Sequence, residues 1–199
     1  MPEPVAGSLG VDEIAELGQR VFASGPETLQ EAADQFELPA LSASLLEVLE
    51  SIVAVVDALP AAAFERQPDD IDGSDVWSAG EIVGHLAAME LAALPFWESV
   101  CGCALPNPPP GLIAASDRPP VGRGACADVL QALRDQNERI LARAGADCDG
   151  DERAMHFALG FASVRAAILG SCVHLVDHHQ QLLALGSSSD RFNEMFAGM

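Results

Sequence analysis

Residues 41–60 read LSASLLEVLESIVAVVDALP. Leu45, Leu49, Ile52, Val56 and Leu59 recur at intervals of four and three. On an α-helix these positions share one face, so the stretch predicts an amphipathic helix over about 41–58. Ser44 with Glu47 offers a capping box near its start, and Pro60 stands beyond its end. The same period returns at 124–145, where Cys126, Leu130, Leu133, Asn137, Ile140 and Ala144 repeat at 4-3-4-3-4 spacing. Asn137 interrupts that apolar stripe, either as a core polar residue that sets register or as a support beside a site. Two more helices are expected at 78–101 and 162–185. Ser78-Ala79-Gly80-Glu81 has the capping-box pattern that opens the first, and Pro95 predicts a kink inside it. Gly186 suits the end of the second. No alternating β-like run stands out. The expectation is an all-α chain, a four-helix bundle whose sites are built from side chains on facing helices.

Working outward, residues 1–40 read as a short helical N-terminal extension. Its first ten residues look like a loose tail. A weak helix follows over about 11–23, and Pro26 opens a second to about Phe36. The bundle is expected over 41–186 and a C-terminal tail over 187–199. The loop at 60–77 holds Pro68, Asp69, Asp70, Asp72 and Gly73. A second connection at 104–123 carries six of the thirteen prolines and reads as a long, structureless loop.

The 199 residues include 30 acidic side chains, 10 Arg and no Lys, for a net charge of −20. Such a surface repels a phosphate backbone and an anionic membrane, so neither nucleic acid nor membrane is expected as a partner. No uninterrupted apolar run of bilayer length occurs, and the first residues lack a signal peptide's pattern. A cytoplasmic protein is the expectation. The five cysteines include no C-x-x-C pair. Cys126 and Cys172 read as buried free thiols, whereas Cys101-Gly102-Cys103 sits where it can be exposed.

Three of the five histidines fall on predicted helix faces. His174 and His178 are four apart, so both rings leave one face of the last helix about one turn apart. Ala167 and Ser171 leave room beside them. His85 shares its face with Ile82, Ala88, Met89 and Ala92. Three imidazoles brought inward without a shared ligand would leave nitrogens unsatisfied, which costs free energy. Glu81, one turn before His85, is explained by its cap but could also approach a metal. Glu90 and Asp177 are candidate acid/base or orienting groups. His179 points about 100° away from His178 and reads as a packed neighbour. Arg165 reads as a surface ion-pair partner, Phe96 and Trp97 as core or interface aromatics, and His156 has no evident partner.

The run Trp77-Ser78-Ala79-Gly80-Glu81-Ile82-Val83-Gly84-His85-Leu86 resembles the helix-two signature of the DinB/YfiT-like metalloenzyme superfamily. His174-Leu175-Val176-Asp177-His178-His179-Gln180-Gln181-Leu182 is similar to its last-helix signature, and also to that of the thiol-dependent maleylpyruvate isomerase branch. The resemblance spans about 41–186. It implies a four-helix bundle holding one divalent metal, nickel or zinc, on His85, His174 and His178. It further implies a position left open for a small-molecule substrate, a low-molecular-weight thiol such as mycothiol or bacillithiol as cosubstrate, and a homodimer. Some members carry Glu where this chain has His174, and the isomerase has a second domain after the bundle. The activity implied is therefore a thiol-dependent transferase or a metal-dependent hydrolase rather than that isomerisation. The alternative is a non-catalytic module that keeps the fold for binding or dimerisation.

Overall fold

The structure is a computed structural model that describes residues 5–24, 27–64 and 77–197, with 23–24 and 188–197 described by backbone alone. The elements run in the order α1 (Val11–Gly18), a π-helical turn (Gln19–Ser24), α2 (Leu29–Ala33), α3 (Leu38–Ala58) and a 3-10 turn (Ala61–Phe64). Next come α4 (Ala79–Cys101), α5 (Pro110–Asp117), α6 (Arg123–Asp147), a hairpin of β1 (Arg153–His156) and β2 (Gly160–Ser163), and α7 (Val164–Ala197). The fold is all-α, with α3, α4, α6 and α7 as its four long helices.

The chain divides into two compact units, and each long helix contributes one stretch to each. The first comprises 1–50, 92–107 and 134–177. Its core holds Ile14, Leu41, Leu45, Leu49, Phe96, Ile140, Ile168 and Leu169. Gly18 lets α1 lie directly on α7, since a Cβ there would sit 2.8 Å from Val173 Cγ1. The second unit comprises 51–91, 108–133 and 178–199. Ile52, Val56, Ile82, Val83, Leu112, Leu130 and Leu182 fill its core. The stripes read from 41–59 and 124–145 are buried as expected, including Asn137.

Several local expectations change. Ser44 does not cap α3, which starts at Leu38 with Pro39 in its first turn. Ser44 is fully buried inside the helix. Its hydroxyl donates to the Ala40 carbonyl at 2.9 Å and accepts from the Leu9 backbone N–H at 2.7 Å. Glu47 accepts from the Ser8 hydroxyl at 3.0 Å. Residues 5–10 are thus strapped to α3 rather than loose. Val5 adds backbone bonds to Gln35 and Glu37. The second extension helix begins at Leu29, capped by Thr28 with Glu31 as its reciprocal partner. Pro26, expected to open it, lies outside the described residues, as does the acidic stretch with Pro68 and Gly73.

The proline-rich connection is not structureless. Pro109 and Pro110 open α5, where prolines cost little because first-turn N–H groups lack helical acceptors anyway. Leu112 and Ala115, three apart, bury its inner face.

The polar turn before the last helix is a two-stranded antiparallel hairpin, with Ala154 opposite Ala162 and Met155 opposite Phe161. Four-residue strands are too short to show a period in sequence. The last helix also runs past the expected end near 185, through Gly186 to Ala197. Glycine lowers helix propensity without forbidding continuation. By length and composition alone, Leu38–Ala58 is apolar enough to cross a membrane, although Glu47, Glu50 and Asp57 interrupt its apolar run, and 44% of that window is buried.

Candidate metal centre

The site is built first by the start of α4. Ser78 caps the helix as its sequence promised. Its N–H donates to Glu81 Oε2 at 2.7 Å, its hydroxyl donates to the same oxygen at 2.8 Å, and the Glu81 N–H returns to Ser78 Oγ at 3.3 Å. These bonds satisfy free first-turn donors and anchor the helix that carries His85 one turn later. Glu81 therefore serves the cap.

Gly80 and Gly84 form a bare strip on the same helix. A Cβ at Gly80 would collide with the Pro120 carbonyl oxygen, and one at Gly84 would lie 3.1 Å from both the Ala115 carbonyl oxygen and Pro119 Cα. The glycines let the end of α5 and the prolines after it lie against the helix backbone beside His85.

Trp77, just before α4, meets two of the histidines. Its ring lies 4.6 Å from that of His85, tilted by 55°. It stacks on His178 at 5.7 Å and 14° between planes. His85 and His178 meet edge to face at 5.0 Å. His178 Nδ1 is 3.0 Å from Gln181 Oε1, three residues along α7. Gln181 Oε1 can only accept, so that contact places a proton on Nδ1 and the lone pair on Nε2. Nothing in the sequence reading singled out Gln181; the i, i+3 spacing from His178 was the available signal.

His174 stands one turn before His178 on the same helix. Ligand nitrogens of His85, His174 and His178 all lie within 4.8 Å of one another. His178 is buried and the other two are half-buried. Burial lowers the His85 pKa, and the nearby His178 lowers it further, so the neutral imidazole is favoured. Neutral nitrogens are what a metal needs from histidine. Three such donors suit zinc or nickel and leave coordination open. The residues therefore fit a divalent ion.

Other candidates are placed differently. Glu90 is half-buried on α4 and Asp177 is exposed on α7. His179 is half-buried beside the site histidine. Arg165 pairs with Asp151 near the surface, as expected. Phe96 and Trp97 are buried, with rings 5.0 Å apart. His156 gains the partner missing from the sequence reading, since its Nδ1 accepts from the Ala158 and Leu159 N–H groups at 3.2 and 3.3 Å. A groove near 630 Å³ in the first unit is lined by residues such as Leu38 and Leu46 of α3, Leu141 of α6 and Cys148 just past α6, and by none of the three histidines.

No curated protein and no solved structure matches this chain. The family model of the DinB superfamily matches residues 44–182, a stretch that includes the capped α4 and all three clustered histidines. The chain belongs to the DinB superfamily.

Proposed function

We propose that this chain is a divalent-metal-dependent enzyme of the thiol-dependent transferase type, with nickel or zinc held by His85, His174 and His178. The gathering of three imidazole nitrogens within 4.8 Å carries this reading. When bound, the ion would lower the pKa of a thiol or water at its open position, yielding a nucleophile at neutral pH.

The chain's own residues prepare that site. Gln181 holds the His178 tautomer. Trp77 covers one face of His178 and packs on His85, which restrains both rings and keeps water from those faces. Burial keeps His85 neutral. Glu90 and Asp177 are the carboxylates proposed for accepting the thiol or water proton. A small-molecule electrophile, a low-molecular-weight thiol, a homodimer and a cytoplasmic location complete the proposal. Residues 1–40 and 187–199 are taken as extension and tail to the 41–186 bundle.

The test is metal content by mass spectrometry, on protein purified without a His tag, for wild type and His174→Ala. About one divalent ion per chain, lost in the variant, is expected. Wild type that takes up no metal from nickel, zinc or manganese would leave the histidines structural and favour a non-catalytic binding module. Metal-loaded protein would then be screened for consumption of mycothiol or bacillithiol with electrophiles.

A further inference from the structure

A second group of reactive side chains lies in the first unit, apart from the histidines. Cys101 is the last residue of α4, Gly102 turns the chain with φ +65°, and Cys103 follows. Cys148 stands one residue past α6. All are half-buried and free.

Two observations bring Cys148 to Cys101. The Cys148 thiol donates to the Val100 carbonyl at 3.7 Å. That carbonyl belongs to the peptide joining Cys101, and in a trans peptide its oxygen lies about 2.8 Å from the next Cα. The Cys148 sulfur is therefore within about 6.5 Å of Cys101 Cα. The two thiols are also close enough to perturb each other's pKa. Cys103 instead lies near enough to Arg143 to raise the Arg143 pKa. Cys126 and Cys172 are fully buried on α6 and α7.

We propose that Cys101 and Cys148 are a dithiol that a peroxide oxidises to a reversible disulfide, joining the end of α4 to the segment after α6. The Cys101 thiolate attacks one peroxide oxygen. The O–O bond breaks, the departing hydroxide takes a proton to become water, and Cys101 becomes a sulfenic acid. The Cys148 sulfur then attacks the Cys101 sulfur. An S–S bond forms, the S–O bond breaks, and the hydroxide leaves as a second water with the Cys148 proton. Two thiols are oxidised and one peroxide is reduced to two waters. Burial pushes the Cys148 thiol up to about 12, so it stays protonated on the Val100 carbonyl, and Cys101 is assigned the first attack. Burial raises Cys101 as well; Cys148 opposes the rise, Cys103 and Asp147 add to it, and Arg143 offsets it only in part. The proposal does not depend on the metal reading.

The test uses the full chain treated with hydrogen peroxide, alkylated, digested with trypsin and mapped by mass spectrometry. Cys148 falls in peptide 144–153, whereas Cys101 and Cys103 share peptide 67–123. The expected result is a cross-link between these peptides that dithiothreitol removes. It should persist in Cys103→Ser and vanish in Cys101→Ser. Mapping the wild type is decisive even if a variant folds poorly. A link that vanishes in Cys103→Ser and persists in Cys101→Ser would overturn the assignment. So would a Cys101–Cys103 link, or five thiols that either stay alkylatable or oxidise without linking.

Discussion

Trp77 and His178, one hundred and one residues apart in sequence, stack with their rings 5.7 Å apart and only 14° from parallel. The indole is thereby an optical reporter beside the proposed metal ligand. Titration with nickel should quench part of the tryptophan emission. The quenching should be lost in Trp77→Phe, where the core residue Trp97 still fluoresces. Equal quenching in that variant would place the responding ion elsewhere.

Gln181 acts through the Nδ1 side of His178. Gln181→Leu removes the acceptor and frees the imidazole to adopt the wrong tautomer or turn. Metal affinity should fall by about 10–100-fold, the usual cost of losing a partner that orients a ligand. Gln181→Glu should retain most of it, because a carboxylate oxygen accepts the same proton. Competition against a chromophoric chelator measures both; an unchanged Leu variant counts against the role.

Gly80 and Gly84 allow residues 115–120 to reach the helix backbone. Gly80→Ala should destabilise the fold by about 1–3 kcal/mol, since it drives a methyl group into a carbonyl oxygen. Gly84→Ala should cost less, because its 3.1 Å contacts need only a small shift. Denaturant melts of both variants test the order. The reverse order would mean that the prolines yield more easily than the contacts imply.

His156 makes stability depend on pH. Burial, with Phe96 at 5.2 Å and Phe157 at 4.7 Å, holds its folded pKa below the ordinary 6.5. The unfolded chain therefore binds the proton more readily. The contribution is complete above pH 6.5 and is lost as pH falls from there through the folded value, with a limiting slope of about 1.4 kcal/mol per pH unit. His156→Gln should flatten this dependence between pH 7 and pH 5 while keeping an oxygen to accept the two N–H bonds. Guanidinium unfolding at several pH values compares them. Parallel curves would show that His156 is not the titrating group.

Much of the fold was legible because its rules act over one or two helical turns. The Leu45 and Cys126 stripes, the Ser78–Glu81 cap and the His174–His178 spacing each involve residues within four positions of one another. The same local rules misread Ser44 and Glu47, which match a capping pattern but bond to Leu9 and Ser8, more than thirty residues away. They missed α5, because prolines that begin a helix look like prolines that break one. They missed the hairpin, because four-residue strands carry no measurable period.

The sequence alone determined an all-helical chain, four long helices and which residues could ligate a metal, because helical periodicity and end capping are decided by near neighbours. The tertiary structure decided that His85 meets His178, that Trp77 closes over both, and that Cys148 reaches Cys101. His85 and His178, Trp77 and His178, and Cys101 and Cys148 are each separated by tens of residues, and only the packing of the folded chain brings them together.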